Sequence, residues 1–224
     1  MVIIFMIIYH LLYDLKYMFG AYMPWYSAET WYPFQQLICW SFIFLSGFSV
    51  NLSKNSLKNS IRIIICAYIL TIITKIATPD FAIYFGVLHL IGFSMLLVSL
   101  LNKKIDYSIV YALISFSIFF IFWKIGLEKF SIFYKFREYN LYPLGFYKMG
   151  FSSSDYFPLI PWFFLFLTGY FIGNYHKYKN QFFRKIDINS GIIGKIGQKS
   201  LLIYMAHQPI IYGILLIFKN LKLI

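Results

Sequence analysis

Long apolar runs separated by short polar stretches dominate the pattern of this 224-residue chain. A helix that crosses a bilayer needs about 20 largely apolar residues, and runs such as 61–70 show no polar face. The alternating ten-residue segments of an outer-membrane barrel are absent from the sequence. Seven runs qualify, and they lie at 1–19, 35–52, 61–78, 82–101, 107–126, 157–175 and 200–218. The pattern therefore predicts an all-α, polytopic integral membrane bundle of about seven transmembrane helices.

The composition agrees with this prediction and excludes several other classes of protein. Hydrophobic residues make up 60% of the chain, aromatic residues 23% and charged residues only 12%. A soluble domain of this size could not cover so much apolar surface, so a cytosolic enzyme, a disordered regulator and a coiled coil are excluded. Two cysteines are too few for a disulfide scaffold. One transmembrane domain over residues 1–224 is the expected organisation.

The net charge of +12 would fit a nucleic-acid-binding protein, but the basic residues fall mostly in loops between apolar runs. Cytoplasmic loops of membrane proteins are enriched in Lys and Arg. Loops at 53–62, 102–106 and 176–199 hold 11 of the 20 basic residues. We therefore predict the bacterial cytoplasmic membrane as the location, with these loops and the N-terminus inside and the C-terminus outside. Residues 127–156 form the longest external loop and are expected to make a lid or re-entrant element.

Ionisable side chains inside apolar helices are costly and therefore mark candidate functional sites. His10 and Asp14 are spaced i, i+4 in the first run, which places them on one helix face. The carboxylate of Asp14 is expected to hold one ring nitrogen of His10 and leave the other free as a general base. A buried polar pair that only locks helix packing is the alternative.

Two further histidines, His89 and His207, lie inside the fourth and seventh runs. At about 1.5 Å rise per residue, all three histidines fall into one layer of the membrane, which predicts a shared central cavity. Tyr204 and Gln208 share the helix face of His207, and Pro209 is expected to bend that helix. For each histidine alone, a hydrogen-bonded packing role is the alternative.

Three other features favour structural roles over chemistry. Asp155 precedes a helix-opening proline, which favours N-capping of the sixth helix over direct catalysis. Gly169 and Gly173 form a small-xxx-small pair that is typical of helix packing. Cys39 and Cys66 are expected to be packing residues, and the sequence contains no metal-binding motif.

Six stretches in chain order resemble the bacterial relatives of the heparan-alpha-glucosaminide N-acetyltransferase catalytic domain, within the wider transmembrane acyltransferase group. They are Ile7–Leu15 (IIYHLLYDL), Phe44–Gly47 (FLSG), Phe85–Gly92 (FGVLHLIG), Tyr142–Phe146 (YPLGF), Asp155–Trp162 (DYFPLIPW) and Ser200–Pro209 (SLLIYMAHQP). The resemblance implies acyl transfer from cytoplasmic acyl-CoA to a sugar amine or hydroxyl across the membrane. It also implies that a histidine near the first helix is catalytic, which His10 fits. Relatives usually carry an Arg-Gly pair about ten residues before this histidine, so a short upstream N-terminal segment is expected to be missing.

Acyl transfer needs a base, donors for the developing oxyanion and a site for acyl-CoA. His10 is the predicted base, oriented by Asp14, with acyl-CoA as the only cofactor and no metal. The candidate acceptor-binding residues are His89, Tyr204, His207, Gln208, Asp155 and Trp162. The candidate contacts to the CoA phosphates are Lys54, Lys58, Arg62, Lys195 and Lys199, for which plain topology signals are the alternative. A glycan or glycolipid is the expected acceptor, and a homodimer is compatible with the prediction.

Two other functions use the same residues. A transporter or channel would employ the histidines as a proton relay, although transporters often show two related halves and the sequence shows no internal repeat. A haem electron carrier would need two histidines that face each other across the bundle.

Overall fold

The computed structural model describes residues 2–100, 108–130, 135–178, 197 and 199–222, apart from the side chain of Glu128. These parts of the chain contain seven α-helices and no β-strand. The helices are α1 (Val2–Tyr13), α2 (Ala28–Val50), α3 (Ser56–Ala77), α4 (Val87–Ser99), α5 (Ser108–Ile125), α6 (Leu159–Tyr178) and α7 (Ser200–Asn220). Each helix corresponds to one predicted apolar run.

Four of the described helices, α2, α3, α5 and α7, are long and apolar enough to cross a membrane. Helix α4 is apolar but has only 13 residues. The chain is therefore a helical membrane protein, and the helix lengths support four of the seven predicted spans.

Helix α4 is shorter than its predicted run, 82–101, because that run begins with extended chain. A 3₁₀ turn at Pro79–Phe81 precedes it, and the backbone of Gly86 is extended before α4 begins at Val87. Residues 82–85 pair with the 127–156 loop instead: Ser154 N–H donates to the Ala82 carbonyl at 3.2 Å. Hydrophobicity alone does not distinguish such buried extended chain from helix.

The chain divides into two compact units, of which the first comprises residues 1–42 and 187–224 and the second residues 43–186. In the first unit, α1 packs against α7. In the second unit, α3 packs against α4, α5 packs against α6, and α4 contacts α6. The described parts of the 127–156 loop belong to the second unit and contain 3₁₀ turns at Leu127–Lys129, Lys135–Tyr139 and Tyr142–Leu144.

Helix α6 lies unusually close to the C-terminal part of α2, and both belong to the second unit. A Cβ atom placed on Gly169 would lie 2.0 Å from the Phe44 carbonyl oxygen. A Cβ atom on Gly173 would lie 2.7 Å from the Phe48 carbonyl oxygen. Small residues permit such an approach of two backbones in a membrane, so the predicted packing role of the glycine pair is confirmed.

Candidate functional site

The first unit brings the two histidines of α1 and α7 together. The ring centroids of His10 and His207 lie 4.9 Å apart, with a tilt of 59° between the ring planes. His207 is buried, with 8% of its surface exposed, and its Nδ1 is hydrogen-bonded to the Tyr204 carbonyl oxygen. The Tyr204 ring lies 5.4 Å from the His207 ring. Two predicted site residues of α7 thus lie at His10: His207 contacts it, and Tyr204 flanks His207, as their shared helix face predicts.

Asp14 completes this cluster, but its partner differs from the predicted one. The carboxyl group is fully buried and accepts hydrogen bonds from Gln208 Nε2 at 3.1 Å and 2.9 Å on its two oxygens. Within the described residues, no hydrogen bond joins Asp14 to His10. The i, i+4 spacing places the two side chains on one face but does not decide between partners, and the carboxyl group is turned to Gln208 of α7. The chain widens into a π-helix at Asp14–Met18, with Phe19 N–H bonded to the Asp14 carbonyl at 3.0 Å.

A series of aromatic rings, which the sequence analysis did not single out, extends from this cluster along α1. The centroid distances are 5.9 Å from His10 to Tyr9, 6.4 Å from Tyr9 to Tyr13 and 4.9 Å from Tyr13 to Tyr17. Tyr17 continues the series to Tyr26 at 6.2 Å. The i, i+4 spacing of Tyr9, Tyr13 and Tyr17, of which Tyr17 lies in the π-helix that follows α1, is the signal that could have revealed this face.

His89 belongs to the second unit, where both of its ring nitrogens have partners. Its Nδ1 accepts a hydrogen bond from Gly86 N–H at 3.3 Å, and its Nε2 lies 3.4 Å from Thr71 Oγ1. The rings of Tyr68 and Phe85 lie 5.1 Å and 5.3 Å away. His89 therefore caps the start of α4 and joins it to α3, which is the packing alternative considered for it. Its place in a cavity shared with His10 and His207 stays a prediction.

Asp155 caps a helix, as predicted, but not the one that follows it in the chain. Its Oδ2 accepts a hydrogen bond from Val87 N–H at 3.0 Å, at the first turn of α4. The parallel bridge between Phe85 and Tyr156 brings the carboxyl group to that turn. A Cβ atom on Gly86 would lie 2.2 Å from this oxygen, so any larger residue here would displace the carboxyl group from the turn. Burial raises the pKa of Asp155 to about 6, against the opposing effect of the Val87 N–H bond.

The Asp155 carboxyl group makes stability depend on pH. The pKa of an unfolded aspartate is about 3.9, so the folded chain binds the proton of the Asp155 carboxyl group more tightly than the unfolded chain does. The protonated carboxyl group therefore stabilises the fold fully below pH 4, and this stabilisation is lost as the pH rises through 6. Asp155→Asn keeps an acceptor for Val87 N–H but does not titrate. The free energy of unfolding of the wild type, relative to that of Asp155→Asn, is expected to fall by roughly 2 kcal/mol between pH 4 and pH 7. Denaturation in detergent at each pH measures it, and parallel profiles of the two proteins would contradict it.

Trp162 lies at the start of α6 in the second unit and is buried, with Phe157 and Phe119 rings at 4.9 Å and 5.5 Å. It lines a cleft of about 240 Å³. The other lining residues include Trp123, Tyr147, Tyr156 and Arg137, and the Arg137 guanidinium lies 5.9 Å from the centre of the Tyr147 ring. Aromatic faces and one cation give this cleft the chemistry to bind a polar ring.

The predicted contacts to the CoA phosphates are exposed side chains where they are described. Lys54, Lys58 and Arg62 are exposed at and before the first turns of α3, in the second unit. Lys58 and Arg62 share one face by their i, i+4 spacing. Lys199 is exposed immediately before α7 in the first unit, and Lys195 lies outside the described residues.

Comparison with known proteins identifies a family model that matches most of the chain. The family model described as heparan-alpha-glucosaminide N-acetyltransferase, catalytic, matches residues 1–209. No curated protein and no solved structure gives a significant match. The match includes His10, Asp14 and the α7 residues up to Pro209.

Proposed function

Because the matching model covers residues 1–209 of 224, the chain belongs to the heparan-alpha-glucosaminide N-acetyltransferase catalytic-domain family, and from this premise we propose that it is an acyl-CoA-dependent membrane acyltransferase. The acyl group, an acetyl group in the first instance, passes from cytoplasmic acyl-CoA to an amine or hydroxyl of a sugar. The acceptor, a glycan or glycolipid, lies on the opposite side of the membrane. Membership of the family supports acetyltransferase activity in general, and the donor and acceptor classes are our proposal.

The observation that carries this proposal is the polar cluster of the first unit. His10, Asp14, His207 and Gln208 meet between two apolar helices. Ionisable groups inside membrane helices cost free energy and are therefore found mainly where they serve chemistry or transport. An imidazole beside a hydrogen-bonded carboxyl group is suited to proton transfer, which the attack of an amine or hydroxyl on a thioester requires.

We assign the catalytic function to His10 as base or acyl carrier, with Asp14 as part of the same cluster through Gln208. We assign acceptor binding to six further candidates: His89, Tyr204, His207, Gln208, Asp155 and Trp162. The aromatic cleft supports the assignment of Trp162, because aromatic faces and a guanidinium suit a polar ring. Binding of the CoA phosphates falls to Lys54, Lys58, Arg62, Lys195 and Lys199, whose charge fits phosphate oxygens.

The membrane arrangement in this proposal has seven spans in the bacterial cytoplasmic membrane, with the N-terminus inside and the C-terminus outside. The loops rich in Lys and Arg then face the compartment that contains acyl-CoA. In this proposal residues 1–224 act as one acyltransferase domain, whose partners are the lipid bilayer and acyl-CoA. Association of two copies into a homodimer is compatible with it.

The alternative as a haem carrier fits the first unit poorly. The rings of His10 and His207 lie against each other at 4.9 Å with a 59° tilt. A haem between two axial histidines needs both rings to point at one iron from opposite sides. A proton-relay transporter would use the same cluster, and acyl-CoA turnover distinguishes it from an enzyme.

The proposal predicts that membranes containing the chain transfer label from acetyl-CoA to amino sugars, and that His10→Ala abolishes this transfer. Loss of the catalytic histidine is expected to reduce turnover by about 10²-fold or more. Transfer of radiolabel from acetyl-CoA to glucosamine-type acceptors measures this turnover. The assay is run on the wild type, on His10→Ala and on a version of the chain extended upstream.

His176→Ala is the matched control, because it removes a histidine near the end of α6 that has no assigned role. Full activity of His176→Ala beside an inactive His10→Ala would support the proposal. Absence of acetyl-CoA binding by both the wild-type and the extended chain would contradict it and favour transport.

A further inference from the structure

The two ring nitrogens of His207 have different roles in the structure. Nδ1 is hydrogen-bonded to the carbonyl oxygen of Tyr204, and a carbonyl oxygen can only accept. Nδ1 therefore carries a hydrogen, and in the neutral ring the lone pair is on Nε2. The backbone of α7 thus fixes the tautomer of this histidine.

The Nε2 atom of His207 is buried and has no hydrogen-bond partner among the described residues. The same holds for Oε1 of Gln208, whose Nε2 is turned towards Asp14. Buried polar atoms normally have partners. Two acceptors on consecutive residues without a donor call for a ligand that supplies N–H or O–H groups, which describes an amine or an alcohol.

His10 limits the charge that this cluster can hold. Its ring lies 4.9 Å from that of His207, and two positive charges at this separation repel strongly away from water. The pair therefore takes up one proton at a time. In the described residues, His207 is the member of the pair whose ring is oriented by a hydrogen bond, as the imidazole of a general base usually is.

We propose that, within the His10–His207 pair, His207 is the general base of the acyl transfer, with Nε2 as the atom that receives the acceptor's proton. This inference rests on the proposed acyl transfer and revises only its choice of base, so that His10 is the neighbouring imidazole of the same cluster. The amine nitrogen or hydroxyl oxygen of the acceptor forms a bond to the thioester carbonyl carbon of acyl-CoA. Its proton moves to His207 Nε2 as the carbon–sulfur bond breaks. The proton then passes to the departing sulfur, so that CoA leaves as a thiol and the imidazole returns to its neutral form.

The kinetic test compares His207→Asn with His207→Gln. The asparagine amide can keep the donor position of Nδ1 towards the Tyr204 carbonyl but has no group in place of Nε2. Both variants are expected to lower kcat by about 10²-fold or more and to lose the rise of kcat with pH, while acetyl-CoA binding is unchanged. Wild-type turnover in His207→Asn would overturn the proposal, because a purely structural role needs only the Nδ1 position.

A second test reads the tautomer without turnover. In protein labelled with ¹⁵N histidine, the Nε2 resonance of His207 is expected to be that of an unprotonated nitrogen. His89 is the internal reference, because its Nδ1 accepts from Gly86 N–H and its hydrogen is therefore on Nε2. A hydrogen on Nε2 of neutral His207 would overturn the proposal even in an inactive preparation.

The outcomes separate the two levels of inference. An active wild type with an inactive His10→Ala and an active His207→Asn would overturn the base assignment and leave the acyltransferase standing. A wild type that binds no acetyl-CoA would overturn both.

Discussion

Gly169→Ala is expected to separate α6 from α2 and to destabilise the second unit by about 3 kcal/mol. The Cβ atom of the new side chain would lie 2.0 Å from the Phe44 carbonyl oxygen and 3.0 Å from the Phe48 nitrogen. Both contacts are with backbone, so rotation of a side chain cannot relieve them, and overpacking of this kind costs roughly 1–3 kcal/mol or more. The shift also disturbs the bond from Asn51 Nδ2 to the Tyr170 carbonyl, which is 2.9 Å long. Thermal unfolding in detergent, followed by intrinsic fluorescence, measures the effect.

Gly213→Ala is the matched control for this substitution. Gly213 lies within α7, and a Cβ atom there has nothing within 4 Å. Since alanine is a better helix former than glycine by about 1 kcal/mol, this variant is expected to be as stable as the wild type or slightly more stable. Equal unfolding temperatures for Gly169→Ala and Gly213→Ala would show that the close approach of α2 and α6 does not determine stability.

The order of the described helices could be read from the sequence, because a helix satisfies the backbone polar groups of each apolar run. The ends of the helices could not. Helix α2 begins at Ala28, before the predicted start at 35, since the less apolar segment with Glu29 and Pro33 is also helical. Helix α4 begins at Val87 because residues 82–85 pair with the 127–156 loop.

For the candidate site, the sequence singles out polar residues inside apolar helices but does not identify their partners. The predicted membrane depths of His10 and His207 are similar, and in the first unit their rings lie 4.9 Å apart; that they form a functional site stays a prediction. The partner of Asp14 was not predictable, because spacing within the first run carries no information about which residue of α7 faces the carboxyl group. Asp155 shows the same limit: its proline-containing neighbourhood indicates a cap, whereas only the tertiary pairing shows that the capped helix is α4.

Gln208→Leu is expected to be among the most destabilising substitutions of the first unit. Asp14 is fully buried, and within the described residues its carboxyl oxygens are hydrogen-bonded to the Gln208 amide. Leucine has a similar size but no donor, so the carboxyl group would stay buried without a partner. The cost of such a group is about 1–3 kcal/mol, and more if it is charged. Unfolding of the purified variant in detergent measures this loss.

The double substitution Asp14→Leu/Gln208→Leu tests whether the interaction, and not the size of the side chains, is responsible. Replacement of both partners by apolar groups removes the unpaired atom, so the double variant is expected to recover most of the stability lost in Gln208→Leu. Additive losses in the cycle would contradict this explanation. Acetyl transfer supplies the second readout, because a double variant that folds but does not transfer the acyl group would show that the pair serves the chemistry as well as the packing of α1 against α7.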